Sequence, residues 1–431
     1  MIIGIVLLYI VALAVLLGVL IFVHELGHFI AAKRSGVRVD VFSFGFGPRL
    51  LGFKRGETDY IISAAPFGGY VKMAGGEADQ EPTGDQREYL SKPKGIRALI
   101  VLAGPAMNFV LALVLSIILT YAVGVDTITT RVIGEVASGS PAEKAGLREG
   151  DTIMAVNGET VKTWDDAISD LAKDLGKTVP IVYERAGAVD TTQLDLAGIK
   201  DPYEAGMAAY SEPVIENAKI GGPAYKAGLR GGDKIVSIGG TPVASVNAVR
   251  KIVLASPDSL LAVGWQRKGE LHTSEVRPKN LNGQGMIEVD FRVEKKHVGL
   301  VGAGKIGLRY SAWASTQFFV VLHDLLTLKV SRTMVGGPVR IGMIAGEALS
   351  WSVLFFFQLL IYISAQLSIV NLLPIPVLDG GQLLLLGVET ARRKPISMRD
   401  RMIAQQIGFV IIIAMFLTLT FNDISSIFFK K

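Results

Sequence analysis

Cysteine is absent from this sequence of 431 residues, and charge is scarce in it. Without cysteine the chain can form no disulfide and can offer no thiolate to a metal ion. Charged residues make up 19% of the chain and hydrophobic residues 50%, and the mean hydropathy is +0.42. This balance is too apolar for an ordinary soluble protein. It indicates a membrane protein with attached soluble parts.

Basic residues interleaved with aromatic ones are also missing, so we expect no binding to nucleic acid. The net charge is only +5, and the basic residues cluster beside apolar segments. The first segment has no basic residue at its start, and its apolar run is longer than that of a signal peptide. We therefore expect residues 1–32 to be a retained transmembrane helix.

Four apolar segments are long enough to cross a bilayer, which takes about 20 residues of helix. These segments are residues 1–32, 98–125, 348–378 and 402–421. Lys and Arg residues concentrate in 33–97 and 387–401, and the positive-inside rule therefore places both segments in the cytoplasm. The large region 126–345 and both termini are then expected on the outer side.

The outer region contains an internal repeat. SPAEKAGLREGDTIMAVNGETV at 140–161 returns as GPAYKAGLRGGDKIVSIGGTPV at 222–243. In each copy Pro-Ala is expected to open a short helix, which Gly146 or Gly228 would end by adopting a positive φ. A Gly-Asp turn then leads into an apolar strand. A repeat of this length predicts two domains of the same fold.

The repeated pattern PAxxAGLxxGD resembles that of bacterial PDZ domains. We therefore predict two PDZ domains in tandem, at 127–207 and 210–295. The alternative is a pair of small β-rich domains that bind no ligand.

Two further regions flank the predicted spans. In 40–75, VDVFSFGFGPRL and TDYIISAAPFGGYVKM alternate apolar with polar or small residues, which predicts β structure. This β region could lie partly in the membrane if protein or a cavity surrounds it; the alternative is a plain cytoplasmic hairpin. The region 300–347 mixes apolar patches with charged residues, which favours helices lying on the membrane surface.

The first span ends in the sequence HELGH, after 23 residues without a charge. A charged group in the membrane costs about 2.5–3.5 kcal/mol, so a function is needed to explain it. Residues four apart share one face of a helix, and His24 and His28 can therefore hold one metal ion. Glu25 can then act on a water molecule without being a ligand, as in zinc hydrolases. The alternative is a polar cluster that packs helices together.

A catalytic zinc ion usually has three protein ligands. Three histidines lie in or near the outer region and are poor candidates on topology: His272, His297 and His323. Asp379, at the end of the third span, is the better candidate. Pro374 and Pro376 interrupt the helix before it, and Asn371 adds a polar group to the same apolar run. A broken helix with polar residues indicates a buried site, although Asp379 could merely cap the next helix.

These motifs resemble those of the site-2 protease family of intramembrane zinc proteases. The resemblance is carried by His24-Glu25-Leu26-Gly27-His28 and by Leu378-Asp379-Gly380. FSFGFGP at 42–48, GPAMNFVLA at 104–112 and NLLPIPVLDGG at 371–381 support it. It covers nearly the whole chain.

The resemblance implies a polytopic α-helical membrane protein with four transmembrane helices, a membrane-associated β region and two periplasmic α+β PDZ domains. It implies a bacterial inner membrane, with both termini periplasmic. Zinc would be bound by His24, His28 and Asp379, and Glu25 would be the general base and acid. Asn371, Pro374 and Pro376 would lie beside the substrate. The strand region with Gly45, Phe46 and Gly47 would approach the substrate as an edge strand.

The function implied by the resemblance is cleavage of transmembrane segments in single-span proteins after a first cut on the outer side. The family pathway releases a sigma factor from its anti-sigma factor, and removal of remnant signal peptides is a second task. The PDZ pair would select substrates. One alternative is a non-catalytic PDZ scaffold, which would need neither Glu25 nor Asp379. Another is a metal transporter, but the second span offers mainly Asn108 as a polar group.

Overall fold

The computed structural model of the chain describes residues 2–76, 83–327, 329 and 336–428. The helices are α1 (Ile2–Arg34), α2 (Lys94–Val123), α3 (Pro141–Lys144), α4 (Trp164–Lys173), α5 (Pro223–Lys226), α6 (Val246–Leu254), α7 (Leu300–Leu326), α8 (Pro338–Trp351), α9 (Val353–Val370), α10 (Asp379–Arg392) and α11 (Met398–Phe428). The strands are β1 (Val39–Arg55), β2 (Thr58–Met73), β3 (Val125–Asp126), β4 (Ile133–Val136), β5 (Thr152–Val156), β6 (Glu159–Thr160), β7 (Thr178–Arg185), β8 (Ala188–Asp195), β9 (Met207–Ala209), β10 (Ile215–Ala218), β11 (Lys234–Ile238), β12 (Thr241–Pro242), β13 (Leu261–Arg267), β14 (Glu270–Val276), β15 (Lys279–Leu281), β16 (Gln284–Met286), β17 (Val289–Phe291) and β18 (Lys295–Lys296).

The chain divides into two compact units. The first contains Met1–Ala122 and Val298–Lys431, and the second is Val123–His297. Within the described residues, four helices are long and apolar enough to cross a membrane: Val6–Arg34, Lys94–Val123, Val353–Val370 and Met398–Ser426. The predicted membrane protein with four apolar helices and a sheet-rich region is thereby confirmed.

The third span is shorter than the predicted 348–378. α8 ends at Trp351, and Ser352 is extended with φ −167°. The Ser352 side chain accepts a hydrogen bond from the Phe355 N–H and so caps α9, which ends at Val370. Hydropathy does not register such a cap, because the flanking residues are apolar on both sides. The predicted break around Pro374 and Pro376 is confirmed, since both lie between α9 and α10.

The predicted surface region 300–347 is helical where it is described, in α7 and the start of α8. Its residues 328 and 330–335 lie outside the described part of the chain. α7 packs against α9, and α8 packs against α1. The position of the region 300–347 on the membrane surface stays a prediction.

The β region after α1 is strand-rich, as predicted, and its two long strands fold back on themselves. Residues 41–44 pair with 59–62 on one side and with 69–72 on the other, while 51–55 pair with 58–62. The segment 41–44 is therefore an inner strand. The free edges belong to 49–55 and 69–73 among the described residues.

The predicted edge strand at Gly45, Phe46 and Gly47 follows this inner strand, and of the three only Phe46 is paired, with Ala65 on one side; the approach of this strand to a substrate stays a prediction. Gly45 and Gly47 have φ of +92° and +89° and lie where β1 bends between its two halves. A positive φ is open to glycine at little cost, and here it ends the inner strand. The sequence pattern indicated strands and glycines, but it could not show the order of the strands in the sheet.

Close packing of small residues brings α1 and α2 together. A Cβ on Gly27 would lie 2.2 Å from the carbonyl oxygen of Ala103, so only glycine fits at this crossing. On another face of α1, Phe22 and Phe29 pack against Phe42 of the β region. α1 is therefore fixed between α2 and the sheet.

The second unit repeats one topology twice. The first copy has a sheet of order β6-β5-β7-β8 and the second a sheet of order β12-β11-β13-β14. β4 pairs with β9 in the first copy, and β10 pairs with β17 in the second. Gly146 and Gly228 adopt φ of +81° and +97° after the short helices α3 and α5, as predicted. The boundaries 127–207 and 210–295 of separate domains stay predictions.

Candidate metal centre

His24, His28 and Asp379 meet in the first unit, although 351 residues separate the second histidine from the aspartate in sequence. The Nε2 atoms of His24 and His28 are 3.1 Å apart. Oδ2 of Asp379 lies 3.1 Å from His24 Nε2, and Oδ1 lies 3.5 Å from His28 Nε2. Ligands in a tetrahedron with bonds of about 2.1 Å stand roughly 3.4 Å apart. The three side chains therefore have the spacing of a zinc site.

The chain around Asp379 explains how it reaches the histidines. Residues 371–378 are not helical, and the N–H of Gly380 donates to the carbonyl of Asn371 at 2.7 Å. A Cβ on Gly380 would lie 2.1 Å from the Leu372 carbonyl oxygen, so glycine allows the loop to fold back on α10. Asp379 is the first residue of α10, and its carboxylate faces the two imidazoles.

The backbone of α2 sets the tautomer of one histidine. His28 Nδ1 lies 2.8 Å from the Ile100 carbonyl oxygen. A carbonyl only accepts, so Nδ1 carries the proton and the lone pair of Nε2 points to Asp379 and His24. Such a hydrogen bond orients a metal-binding imidazole.

Two further observations fit a metal ion. Apart from its approach to His24 Nε2 at 3.1 Å, Oδ2 of Asp379 is buried without a hydrogen-bond partner among the described residues, as expected for an oxygen that serves as a ligand. A Cβ on Gly104 would lie 2.3 Å from His28 Nε2 and 2.8 Å from His24 Cε1. Glycine thus keeps open the space in front of both rings. Two nitrogens and one carboxylate oxygen form a donor set that suits zinc.

A cavity of about 520 Å³ opens at these side chains. Its lining includes polar groups from α1, β2 and the 371–382 segment: His24, Glu25, Tyr70, Asn371, Asp379 and Gln382. Glu25 is partly buried and is hydrogen-bonded to the backbone of Val71. The carboxylate thus lies between the histidines and the free edge strand 69–73.

The other predicted site residues lie at different distances from this cavity. Asn371 lines it, with Nδ2 3.3 Å from His24 Nδ1. Pro376 instead packs toward Gly381 and Gly408, and Pro374 is not part of the lining. Phe46 is also outside the lining, but its ring stacks on Tyr70 with centroids 6.2 Å apart.

The histidines set aside on topology lie elsewhere. The His272 ring stacks on Trp265, and His323 pairs with Asp324. Neither belongs to the group of His24, His28 and Asp379.

Sequence reasoning missed several residues of the cavity. Gln382 follows Asp379 by three residues, and this helical spacing could have identified it. Tyr70 and Tyr89 gave no such signal, because their positions depend on how the β region and the 83–92 loop fold. Burial raises the pKa of Tyr89 to about 12, so this phenol keeps its proton at neutral pH.

Comparison with known proteins identifies the family. A profile of peptidase family M50 matches residues 12–415. This chain belongs to peptidase family M50. It is therefore a zinc metalloprotease with a site-2 protease function, and zinc is its metal.

Several relatives resemble the chain over almost its full length. The regulator of sigma-E protease RseP of Escherichia coli (strain K12) is 32% identical over 440 residues, which cover 95% of this chain and 97% of that protein. RseP of Salmonella typhimurium (strain 14028s) is 32% identical over 443 residues, 96% of this chain and 98% of its own. A Neisseria meningitidis (serogroup A) protein named "putative zinc metalloprotease" is 31% identical over 442 residues, 94% of this chain and 96% of its own.

Proposed function

We propose that this metalloprotease cleaves transmembrane segments of single-span proteins that have already been cut on the outer side. The observation that carries the proposal is the position of Glu25. It lies between the group of His24, His28 and Asp379 and the free backbone edge of 69–73. A peptide paired with this edge would pass both the general base and the metal.

His24, His28 and Asp379 would hold zinc, and when bound it would polarise the substrate carbonyl and make a water molecule more acidic. Glu25 takes the proton from the attacking water. It then transfers the proton to the nitrogen of the leaving amine, so that one carboxylate serves as base and acid.

The edge strand would pair with the backbone of an unwound substrate, which is a requirement specific to membrane substrates. A helical peptide bond is shielded, so the substrate helix must unwind locally, and its freed N–H and C=O groups need partners in a medium that offers none. Strand addition at 69–73 would supply those partners. Gly69 lets this edge strand pack closely on its neighbour, because a Cβ there would lie 2.6 Å from the Ser43 carbonyl oxygen.

Asn371 is the residue of the broken segment best placed to meet the substrate, since its side chain lines the cavity. We assign Pro374 and Pro376 an indirect part. Proline cannot continue a helix, so these residues hold the segment open in front of Asp379. Phe46, with Gly45 and Gly47 on either side, would act through its stacking on Tyr70.

The two repeats of the second unit would be PDZ domains that select substrates. A cavity of about 420 Å³ lies between α6 and β17, and β17 has one free edge among the described residues. A cavity of about 580 Å³ lies beside β9 and Trp164 in the first repeat. Such grooves suit strand addition by a chain end, whereas a gate that holds back bulky outer domains would leave them empty. Deletion of 127–295 should loosen substrate choice and preserve Glu25-dependent cleavage.

The names of the relatives suggest the biological setting. The Escherichia coli relative is named "Regulator of sigma-E protease RseP". By this likeness, we propose an anti-sigma factor as the main substrate and remnant signal peptides as further ones. We propose a bacterial inner membrane, with the repeats and both termini on the periplasmic side, because the basic residues lie in 33–97 and 387–401.

The test is cleavage of a tagged single-span substrate in detergent by the wild type and by Glu25→Gln, with the zinc content of both measured. We expect zinc in both proteins and cleavage by the wild type alone. Glu57→Gln is a matched control, since Glu57 is bonded to Lys33 and Arg87 away from the cavity; it should cleave normally. Equal cleavage by Glu25→Gln would refute the assigned role of Glu25. Absence of zinc from both proteins would favour the alternative of a non-catalytic PDZ scaffold.

A further inference from the structure

Asn108 of α2 is fully buried beside the metal centre. Its Nδ2 lies 3.2 Å from His24 Nδ1. Its Oδ1 is also buried and has no hydrogen-bond partner in the described part of the chain. A buried amide that uses only one end is uncommon, because buried polar atoms are nearly always paired.

The tautomer of His24 determines which end of the Asn108 amide faces the imidazole. If Nε2 of His24 is the metal ligand, Nδ1 carries the proton and must donate. Nδ2 of an amide also donates, so two donors would face each other at 3.2 Å. Rotation of the Asn108 amide by 180° exchanges oxygen and nitrogen. Oδ1 then accepts a hydrogen bond from the N–H of His24 Nδ1, and the unpaired oxygen gains a partner.

Asn371 is the competing acceptor, since its Nδ2 lies 3.3 Å from His24 Nδ1. One N–H of an imidazole needs one acceptor, and two amides are present. Only Asn108 has an oxygen that is buried and unpaired, whereas Asn371 lines the open cavity. Asn108 therefore accepts the hydrogen bond from His24 Nδ1, and the Asn371 amide stays available to a substrate.

We infer that Asn108 is a positioning residue of the zinc site, in which Oδ1 accepts the hydrogen bond from His24 Nδ1. The inference rests on the proposed ligation of zinc by His24. By this inference, α2 positions both histidines. The Ile100 carbonyl orients His28, and Asn108 orients His24. Gly104 leaves room for both rings. These three residues follow at intervals of four and so share one face of α2.

The test measures the zinc affinity of the purified full-length chain in detergent, by competition with a fluorescent zinc chelator. Asn108→Leu keeps the size of the side chain and removes the acceptor; we expect zinc to bind about 10- to 100-fold more weakly. Asn108→Asp restores an acceptor oxygen and should recover most of the affinity. Asn371→Leu should keep zinc affinity and lose cleavage. Ser364→Ala is the matched control, since Ser364 donates to the backbone oxygen of Asn108 at 2.8 Å and not to its amide.

Two results would overturn the inference. Wild-type zinc affinity in Asn108→Leu would show that the amide does not orient the ligand. Equal loss in Asn108→Leu and Asn108→Asp would show that the site needs the shape of asparagine and not an acceptor. Failure of the proposed ligand set is distinguishable, because His24→Ala would then retain zinc whatever residue stands at position 108.

Discussion

Gly104 faces His28 so closely that a Cβ on Gly104 would lie 2.3 Å from His28 Nε2. Real Cβ atoms do not approach a nitrogen at this distance, and the backbone of α2 cannot yield because the Ile100 carbonyl is bonded to the same ring. The space for a metal ion therefore depends on an absent side chain in the neighbouring helix.

We predict that Gly104→Ala loses zinc, with an affinity about 10-fold or more below that of the wild type. The measurement is zinc content after dialysis against a chelator. Gly95→Ala is the matched control in the same helix, because a Cβ at Gly95 meets nothing within 4 Å. The control should bind zinc normally. Full zinc content in Gly104→Ala would mean that the rings shift without cost.

We predict that a substrate pairs with the backbone edge at Val71, where a substrate carbonyl would replace the Glu25 carboxylate on the Val71 N–H. Val71→Pro removes one N–H from an edge strand, and substrate binding should weaken roughly 10-fold. The binding is measured in a Glu25→Gln background, because the substrate is then not cleaved. A change in the bond between Val71 and residue 25 therefore cannot alter the result through catalysis. Val71→Ala keeps the N–H and should bind substrate as before. Equal binding by both variants would exclude strand addition at this position.

We predict that Glu389 anchors the helix that begins with Asp379. This carboxylate is 1% exposed and accepts hydrogen bonds from Arg97 at 2.9 Å and from Arg401 at 2.8 Å. Glu389→Gln would leave the buried guanidinium of Arg97 and the partly buried one of Arg401 without their counter-charge, and the cost should be about 3 kcal/mol of stability. Thermal unfolding in detergent measures this loss.

Arg392→Gln is the control for that prediction, since Arg392 is exposed on the same helix and should change stability by less than about 0.5 kcal/mol. A Glu389→Gln protein as stable as this control would contradict the anchoring role.

We predict that the first repeat loses stability in acid through Asp151. Burial acts to raise the pKa of this carboxyl, but the Arg185 guanidinium and the N–H of Arg148 outweigh it and lower the pKa. A lowered pKa stabilises the fold above the unfolded value of about 3.9, and this contribution is lost as the pH falls through the folded value. Asp151→Asn should therefore destabilise the repeat near pH 6, and its effect should shrink as the pH falls below about 3.9. Hydrogen–deuterium exchange of 127–209 in the full chain measures the effect; a difference that grows in acid would refute it.

Much of the fold was predictable from the sequence because its signals are local. Apolar runs marked α1 and α2 to within four residues at each end, whereas α11 extends seven residues beyond the predicted end at 421; a run of this kind is set by the thickness of the membrane. The helix-ending glycines Gly146 and Gly228 were predictable for a similar reason, because a positive φ is a property of one residue. The third span was less predictable, since the cap at Ser352 interrupts an apolar pattern that continues on both sides.

The sequence by itself determined the donor set: a histidine pair on one helical face, a carboxylate after a proline-broken segment, and no thiolate. These follow from helical periodicity and from the cost of polar groups in hydrocarbon. Only the tertiary structure showed that the edge strand beside Glu25 is 69–73. It alone placed Ile100, Gly104 and Asn108 of α2 around the histidines. Strand order and contacts between helices depend on residues far apart in sequence, and no local pattern specifies them.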